Sequence, residues 1–457
     1  MKELKTEKDN EMNRCKIFVA LFYCAVISLL FFAPVTATAA PFQEVYLTED
    51  PAGVPHTEQQ FVIVDASGAV TEYVYNYKGL LVKETNPLGE VTTYEYDALG
   101  RLSKKITPDG TLTTYTYDIT GNVAKITAQK ITGEVEELQY AYTREGYLVS
   151  AISKTTADEY TYTESGEIAS VTRNGKYRIE LCHDDAGKLV ELRECHLDGR
   201  AEDSVTNYEY DSSHRLVKVI QDGNLLSEYG YDTAGRLKYQ QDGTGSITEY
   251  SYGSSNRPVL METRTAEGIV LYREENCYNE KGSVITRVVS GIAPEVSGTA
   301  GIFYFSYDEY DRLVQEQGIY GTISYTYDVM GNRLTRTENG VTTHYTYDLC
   351  NKLVSERIEG EVTYYVYDAM GNLIKKNAPN GTTMYSYNAF NQLEQVKTPS
   401  GDCQENEYDA MGIRSALTEN GVATQYMTYN GMVLAAYNTA GERTEHYSYG
   451  KKILARE

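Results

Sequence analysis

The sequence is poor in the residues from which most catalytic and metal sites are built. It has 6 histidines in 457 residues and no tryptophan. No two histidines have the HExxH spacing of a zinc protease, and there is no phosphate-binding glycine loop, nucleophile elbow or tandem calcium loop. The sequence therefore predicts no catalytic residue, no cofactor and no metal site, and we expect a protein that is not an enzyme.

Cysteine is scarce as well. Of the 7 cysteines, five follow residue 39, and these five are odd in number and widely spaced. The pattern excludes a disulfide framework and offers no zinc-binding spacing. One bridge remains open, between Cys182 and Cys195, which are the closest pair along the chain.

Positive charge is also in deficit. Against 65 acidic residues there are 42 lysines and arginines, and the formal net charge is -23. Such a charge disfavours nucleic acid and anionic lipid as partners. Hydrophobic residues make up 41% of the chain, which is enough to bury a core and excludes general disorder.

One long apolar run is present, at residues 17–35, and Arg14 and Lys16 precede it. Pro34 falls near its end, and small residues follow at 37–39. We interpret residues 1–39 as a signal peptide, and an uncleaved membrane anchor is the alternative. The segment predicts bacterial export to the outside or the cell surface, with membrane contact only if it stays uncleaved. Residues 40–65 are predicted to be a linker.

The abundant residue is tyrosine, with 43 copies against 9 phenylalanines. Most of these tyrosines belong to a repeat of 20 or 21 residues, and we index each copy on its second tyrosine, the anchor. The anchors are Tyr75, Tyr96, Tyr117, Tyr142, Tyr162, His183, Tyr210, Tyr231, Tyr252, Tyr278, Tyr307, Tyr327, Tyr347, Tyr367, Tyr387 and Tyr408. The clearest copies supply the structural signature residues Tyr94, Tyr96, Asp97, Gly100, Arg101, Leu102, Tyr325, Tyr327, Asp328, Gly331, Tyr365, Tyr367, Asp368 and Gly371.

The position four residues after the anchor indicates what the repeat specifies. It holds glycine in eleven copies, and the other five have His214, Asn256, Asp311, Asn351 and Asn391. These residue types best tolerate a left-handed backbone, so we predict a positive φ at this position in every copy. With Asp or Asn after the anchor to cap the turn, the pattern is typical of a short hairpin loop.

Each copy is therefore predicted to be one β-hairpin, and the protein to be all-β. On the order of 32 strands spaced about 4.8 Å apart would make a strip too wide to stay flat, so it should curl into a spiral or partial shell. We expect a repeat array over residues 66–290, irregular in its later part, a loop or seam at 291–302, and a regular array at 303–457. The tyrosines are expected to pack and stack between strands.

The pattern Tyr-x-Tyr-Asp-x-x-Gly-Arg/Asn-Leu resembles the YD repeat of the Rhs family, which includes polymorphic-toxin shells, wall-associated proteins and the teneurins. The resemblance covers about residues 60–457 and implies a hollow shell of spiralling hairpins. In toxin members such a shell encloses a C-terminal toxic domain. Residues 429–450 are similar to the hairpins that lead into the family's core-associated segment. The Asp-Pro-x-Gly motif and the toxin that usually follow them are missing here, so we expect a shell without its toxin.

Three functions remain open at this level. The first is an exported, non-enzymatic shell or surface protein that contacts a cell-surface glycan or protein. The second is the encapsulating shell of a toxin-delivery system whose toxin cargo is encoded separately, downstream. The third is a hydrolase in the irregular stretch at 130–300, for which His183, Asp184 and Asp185 are the best candidates.

Overall fold

The structure is a computed structural model that describes residues 43–46, 58–197, 199, 202–292, 299–451 and 453–456. The signal peptide predicted at 1–39 lies outside the described residues. Every regular element among the described residues is a β-strand. No helix long and apolar enough to cross a membrane occurs in these ranges.

Strands of four to nine residues follow one another along the whole described chain. They are β1 Gln43–Tyr46, β2 Glu58–Val64, β3 Val70–Asn76, β4 Leu81–Thr85, β5 Val91–Tyr96, β6 Leu102–Ile106, β7 Leu112–Tyr117, β8 Val123–Gln129, β9 Val135–Tyr142, β10 Leu148–Ile152, β11 Ala157–Tyr162, β12 Ile168–Arg173, β13 Tyr177–His183, β14 Leu189–His196, β15 Ser204–Tyr210, β16 Leu216–Gln221, β17 Asn224–Tyr231, β18 Leu237–Asp242, β19 Ile247–Tyr252, β20 Pro258–Arg264, β21 Val270–Tyr278, β22 Val284–Ser290, β23 Gly301–Tyr307, β24 Leu313–Gly318, β25 Gly321–Tyr327, β26 Arg333–Glu338, β27 Val341–Tyr347, β28 Leu353–Ile358, β29 Glu361–Tyr367, β30 Leu373–Ala378, β31 Gly381–Tyr387, β32 Leu393–Lys397, β33 Cys403–Tyr408, β34 Arg414–Glu419, β35 Val422–Tyr429, β36 Met432–Tyr437, β37 Arg443–Tyr449 and β38 Ile453–Arg456.

The strands form one antiparallel meander in which each strand pairs with the strands before and after it in sequence. The sheet is open, because its first and last strands are not paired with each other. The predicted all-β array of hairpins is confirmed. The linker predicted at 40–65 contains β1 and β2, and β2, which includes the apolar run from Phe61 to Val64, pairs with β3 along its whole length.

Between β22 and β23 the chain has no strand from Gly291 to Ala300 in its described part. This is where the sequence predicted a loop or a break between the two repeat arrays. Residues 293–298 lie outside the described residues. Strands β9–β22 have the same hairpin form as the rest, although β21 is nine residues long. The longer spacing of copies there is thus taken up by longer strands and loops.

Every anchor ends a strand or lies one residue from its end, and a turn of one kind follows it. In the copy of Tyr96, the Asp97 N–H donates to the carbonyl oxygen of Arg101 at 2.8 Å, and the Gly100 N–H donates back to Asp97 at 3.0 Å. The predicted positive φ is confirmed at all sixteen positions, from 57° at His214 to 96° at Gly166. The turn reverses the chain with one extra residue, so a bulge marks each hairpin at its anchor.

Where a copy has two tyrosines, both lie on one face of the sheet, which we call the tyrosine face. In β5 Tyr94 and Tyr96 are half-buried, whereas Glu95 between them is exposed. The same alternation recurs at Tyr385, Ser386 and Tyr387 in β31. Because the period is two, the paired tyrosines of successive copies lie on this same side of the sheet.

Cys182 and Cys195 do not form the bridge left open by the sequence. Both are free, as are the other cysteines among the described residues. In the β13–β14 pairing Cys182 is opposite Glu191 and Cys195 is opposite Arg178. The register therefore holds the two thiols at opposite ends of the hairpin, beyond the reach of a disulfide.

Turns of the later copies contact parts of the sheet that lie about 250 residues earlier in the chain. Lys130 Nζ donates to the carbonyl oxygen of Tyr387 at 2.6 Å, and Tyr140 donates to that of Ala410 at 2.6 Å. Ser153 Oγ donates to the carbonyl oxygen of Tyr408 at 3.0 Å. The turns between copies form one edge of the sheet, which we call the linker rim. The turns that follow the anchors form the other edge, which we call the YD rim. These contacts join the two rims. We call the joint the seam.

Past the seam, the sheet lies on its own tyrosine face. Strands β35 and β36 contribute Met427, Leu434, Ala435 and Tyr437 to a buried cluster. The earlier strands contribute Val171, Tyr177, Ile179, Leu181 and Leu192. A single layer thus becomes two layers here, which gives this part of the protein its hydrophobic core.

The backbone at Gly331 provides a test of the turn geometry. Its φ is 88°, and an added Cβ would meet nothing within 4 Å, so Gly331→Ala would change only backbone strain. We expect a cost of about 1–2 kcal/mol. The opposite kind of change at an equivalent position, His214→Gly, replaces an exposed side chain at a φ of 57° and should be nearly neutral. Hydrogen exchange of the two turns measures both, and equal effects would contradict this account.

Candidate functional site

Consecutive copies are joined by a recurring set of side chains. In the copy of Tyr96, Asp97 Oδ1 accepts from the backbone N–H groups of Leu99 and Arg101, each at 2.9 Å. Asp97 Oδ2 accepts from Arg101 Nε at 2.7 Å. The guanidinium then lies 4.1 Å from the ring centre of Tyr117, the anchor of the next copy. One aspartate therefore both closes its own turn and holds an arginine against the neighbouring tyrosine.

The anchor hydroxyl completes the joint. Tyr117 donates to the carbonyl oxygen of Leu102 at 2.7 Å. The pairing of β6 with β7 ends at Lys104 and Thr114. The Leu102 carbonyl lies beyond this pair, so it has no backbone N–H of β7 as its partner. The phenol supplies that missing donor.

The same hydroxyl-to-carbonyl bond recurs in thirteen of the sixteen copies, at 2.6–3.1 Å. The donors are Tyr96, Tyr117, Tyr162, Tyr210, Tyr231, Tyr252, Tyr278, Tyr307, Tyr327, Tyr347, Tyr367, Tyr387 and Tyr408. Sequence reasoning expected stacking between tyrosines and missed this bond. Its signal was present in the choice of tyrosine over phenylalanine at fifteen of the sixteen anchors.

The remaining signature residues occupy the same places. Asp328 Oδ1 accepts from the Asn332 N–H at 2.8 Å, and Asp368 Oδ1 accepts from the N–H groups of Met370 and Asn372, each at 2.9 Å. The first tyrosine of each pair contacts a cation across the hairpin. These pairs are Lys105 with Tyr94, Arg333 with Tyr325, and Lys376 with Tyr365.

Burial and hydrogen bonding shift the pKa values of these groups in opposite directions. Desolvation raises the pKa of Tyr96 and of Tyr367 above the usual value. Desolvation opposes ionisation at Asp118 too, but hydrogen bonds from Thr120 and Asn122 lower the pKa of Asp118 to about 2. The joint is therefore built for a neutral phenol and an ionised carboxylate.

A buried ion cluster, which we call the clasp, lies at the seam. Arg173 at the end of β12 is 5% exposed, and it contacts Asp158 and Asp409, which are 1% and 4% exposed. Its Nε and Nη2 donate to Asp158 at 2.8 and 2.7 Å, and Nη2 also donates to Asp409 at 2.7 Å. Its Nη1 donates to the Tyr426 carbonyl and to Thr428 at 3.0 and 3.3 Å. All five guanidinium N–H groups have acceptors.

Two carboxylates share one guanidinium in the clasp. Burial opposes the charge on Arg173, but Asp158 and Asp409 raise the pKa of Arg173 above its usual value. Burial raises the pKa of Asp409, although Arg173 opposes that shift. Removing the arginine would leave two acids without their counter-ion in a site closed to water.

The sequence carries a signal for the clasp that its first reading missed. In ten copies the anchor is followed by Asp, and in nine of these the residue four positions after the Asp is Arg, Lys or Asn. After Asp409 that residue is Ile413. Asp409 still caps its own turn through the Met411 and Ile413 N–H groups. Its second oxygen lacks the local partner and binds Arg173 of the previous turn instead.

A second buried polar cluster joins β37 to the earlier strands. The His446 ring lies 2.7 Å from Glu194 Oε1 through Nε2, and 2.6 Å from the Gln221 amide nitrogen through Nδ1. Because the amide nitrogen can only donate, Nδ1 accepts and Nε2 carries the proton that Glu194 binds. Ser448 donates to the Gln221 oxygen. These bonds fix how β37 sits on the first turn of the sheet.

An aromatic group closes the same region. The rings of Tyr177 and Tyr437 are stacked with centres 4.1 Å apart and planes at 21°. His196 meets both rings edge-on, and the Tyr437 hydroxyl is 3.3 Å from His196 Nε2. Residues 241 positions apart in sequence thus share one buried contact.

The residues proposed for a hydrolase lie in the repeat instead. His183 ends β13 at the anchor position, opposite Leu189. Asp184 caps its turn through the N–H groups of Ala186 and Lys188. No group of three or more metal-binding side chains is found within the described ranges. The arrangement makes a wall with a closed seam, and its polar groups are engaged in holding that wall together.

Comparison with known proteins gives two matches to families and several to solved structures. The sequence profile of the teneurin YD-shell family matches residues 112–267, and that of the RHS repeat matches residues 75–111. No functionally curated protein matches the chain. The resemblance to YD-repeat proteins expected from the tyrosine pattern is confirmed.

The structure is similar to the Tc holotoxin pore of Photorhabdus luminescens, with a TM-score of 0.65 and 16% identity over 85% of this chain. It is also similar to the TcdB2-TccC3-TEV and TcdB2-TccC3-Cdc42 structures, with TM-scores of 0.64 and 0.59 and identities of 16% and 13%. At these identities the likeness concerns the fold alone. The chain covers 24–27% of the length of those chains.

The anchor hydroxyls make stability depend on alkaline pH. The folded pKa of anchors such as Tyr96 and Tyr367 is raised, so the stability that these hydroxyls give is fully present below the unfolded pKa of about 10 and is lost as pH rises through the folded value. We expect unfolding to coincide with phenolate formation above pH 10, measured by absorbance at 295 nm and by circular dichroism. Phenolate formation well before any loss of β-structure would contradict this.

The clasp predicts a strong effect of one substitution. Arg173→Ala should destabilise the seam by about 3–5 kcal/mol, because two buried carboxyl groups lose their partner. Hydrogen exchange should increase in β34–β37 and in the turns at 387–413. Arg101→Ala, which removes an equivalent ion pair at a half-exposed site, is the control and should cost only about 1 kcal/mol or less. Equal effects of the two substitutions would contradict a buried clasp.

Proposed function

Taking the chain as a carrier of Rhs repeats and of a teneurin-type YD shell, we propose that it is an exported, non-enzymatic wall that encloses a polypeptide cargo on its tyrosine face. The observation that carries this proposal is the seam. A single sheet that meets its own edge about 250 residues later surrounds a volume, whereas a flat sheet would not. The solved structures with the same fold include Tc toxin complexes.

The distribution of burial supports the tyrosine face as the inner side. In β23 and β31, where the sheet is one layer thick, residues on the tyrosine face are half-buried and those between them are exposed. Side chains on a concave face converge and shield one another, and side chains on a convex face diverge. The inner wall would then be lined by neutral phenol rings and the arginines that lie on them, such as Arg236 over Tyr252.

The C-terminal strands support the same direction. Strands β35–β37 lie on the tyrosine face, and the Lys451 N–H donates to the Tyr229 hydroxyl at 3.3 Å. A polypeptide attached after the last strand would therefore start on that side of the wall. This is the geometry that an enclosed cargo requires.

Protease protection tests the proposal directly. An unfolded reporter peptide is appended after Glu457, and its cleavage by a broad-specificity protease is measured with the wall intact. We expect slow cleavage in the parent protein and fast cleavage when Arg173→Ala opens the clasp. Arg101→Ala is the matched control and should leave the protection unchanged. Equally fast cleavage in all three proteins would contradict enclosure.

A second candidate, recognition of a cell-surface glycan or protein, is favoured by a stripe of side chains on the opposite face. Tyr304 and Tyr364 are 52% and 53% exposed, and His344 and Met384 are exposed at the equivalent positions of β27 and β31. His344, Tyr364 and Met384 lie two strands apart, or about 10 Å, and Tyr304 lies four strands before His344 because Ser324 occupies the position between them. Exposed rings at regular spacing suit stacking on sugar rings.

Binding to isolated cell-wall glycans tests this second candidate. Tyr304→Ala with Tyr364→Ala should weaken retention of the protein on the glycans. Ser306→Ala with Val366→Ala, two strand positions further along the same face, is the control. If the parent protein is not retained, or if both pairs of substitutions act alike, the stripe is not a binding surface.

A further inference from the structure

The seam shows how one rim of this sheet binds the other. On the YD rim, the residue two positions after the anchor is Ala389 in one copy and Ala410 in the next, and these are 7% and 1% exposed. The Ala389 N–H donates to Glu136 at 3.1 Å, and the carbonyl oxygen of Ala410 accepts from Tyr140. Apolar turn tips on the YD rim therefore pack against side chains near the linker rim of an earlier turn of the sheet.

In the middle copies of the YD rim the turn tips are polar. From the fourth copy to the tenth, the residues two positions after the anchor are Arg144, Glu164, Asp185, Ser212, Thr233, Ser254 and Glu280, and all are exposed. This is the expected chemistry for turns that remain in water. In these copies, a turn tip that is covered is apolar, and a turn tip that stays in water is polar.

The first three copies break that rule. In the first and third copies the residue two positions after the anchor is Tyr77 or Ile119, and these are 74% and 104% exposed. In the second copy the residue three positions after the anchor is Leu99, which is 78% exposed. These copies belong to the first turn of the sheet, so no earlier turn exists to cover their rim. Val329 and Leu349, on the approach to the seam, are also apolar and are 64% and 55% exposed. The turns of the first three copies therefore carry apolar side chains, as the turns in the seam do, but no other described turn of the same chain covers them.

The opposite rim of the last turn has the complementary surface. Ile319, Val341 and Ile358 lie at three successive turns of the linker rim and are 46%, 38% and 43% exposed. Glu359 and Glu361 flank one of these turns and are exposed, whereas Lys78 is the exposed neighbour of Tyr77 on the YD rim. The two free rims thus both present exposed apolar side chains.

We propose that a second copy of this chain docks here, with the linker rim of its last turn on the YD rim formed by the first three copies of its neighbour. Both rims come from the same strip, so turns recur on each with the same spacing of two strands, about 10 Å. Successive tips can therefore engage successive turns in register, as they do in the seam. The inference does not depend on whether the wall encloses cargo.

The contact is heterologous, since different surfaces of the two copies meet. Each bound copy leaves one YD rim and one linker rim free, so association continues in a row unless a ring closes. We therefore expect a series of species that grows with concentration rather than a closed dimer.

Multi-angle light scattering of the full chain in detergent, over a range of concentrations, tests the proposal. Leu99→Glu with Ile119→Glu should raise the concentration needed for association by about tenfold or more, and Ile319→Glu with Ile358→Glu should do the same. Ser212→Glu with Thr233→Glu places the same charges on uncovered turn tips and should have no effect. Circular dichroism confirms that each variant is folded.

Mixing gives the sharpest outcome. Each rim variant retains one intact rim, so the two variants together should form a 1:1 complex that does not grow, although neither associates alone. Association that persists when both rims are substituted in one chain would come from the N-terminal apolar run or another surface, and would overturn the proposal. A parent protein that stays monomeric at every concentration would overturn it as well.

Discussion

The structure depends on one interaction, the hydrogen bond from the anchor tyrosine to a carbonyl oxygen of the preceding copy, which forms in thirteen of the sixteen copies. A β-sheet one layer thick has no second layer to fix the orientation of its hairpins. Between hairpins the backbone ladder stops short of the YD rim, as at the Lys104–Thr114 pair. The phenol of Tyr117 bridges that gap, and Arg101 covers its ring. Phenylalanine could fill the same space, but it could not satisfy the carbonyl group.

Repetition of this joint explains why the chain curls and why it then needs a seam. A twisted sheet of this many strands cannot remain open and flat. When its edge meets an earlier turn, polar turn backbone comes out of water and must find partners. Side chains such as Lys130 and Ser153 provide them, and the clasp of Arg173 with Asp158 and Asp409 holds the turns together. Buried ions of this kind favour one register over its neighbours, because a shift would leave charges unpaired.

Much of the local structure could be predicted from the sequence. The residue types at the position of Gly100, Asn351 and its equivalents require a positive φ, and the structure has one in all sixteen copies. The hairpins and the curl follow from the repeat length and from the twist of β-sheets. These features are local or depend only on strand number, so a single sequence is enough to derive them.

The seam could not be predicted in the same way. Which residues meet across it depends on how many strands make one turn of the spiral, and no residue pattern states that number. Arg173 lies at the end of an ordinary strand, and only its burial shows its role. The repeat usually has Arg, Lys or Asn at the position of Ile413. The isoleucine there leaves one oxygen of Asp409 without a local partner, which is the sequence signal for the clasp. The strand β2 within the predicted linker at 40–65 was missed because it has no tyrosine pair, although its apolar run from Phe61 to Val64 is typical of a strand.

The wall is thus a repeated local joint closed by a few long-range contacts, and the closure is its central feature. A double-mutant cycle between Arg173→Met and Asp409→Asn, read by hydrogen exchange in β35, tests it most directly. We expect a coupling energy of about 1 kcal/mol or more between these residues, which are 236 positions apart. Arg101→Met with Asp409→Asn serves as the distant control pair and should be additive. Additive effects for Arg173 and Asp409 would contradict a sheet that closes on itself.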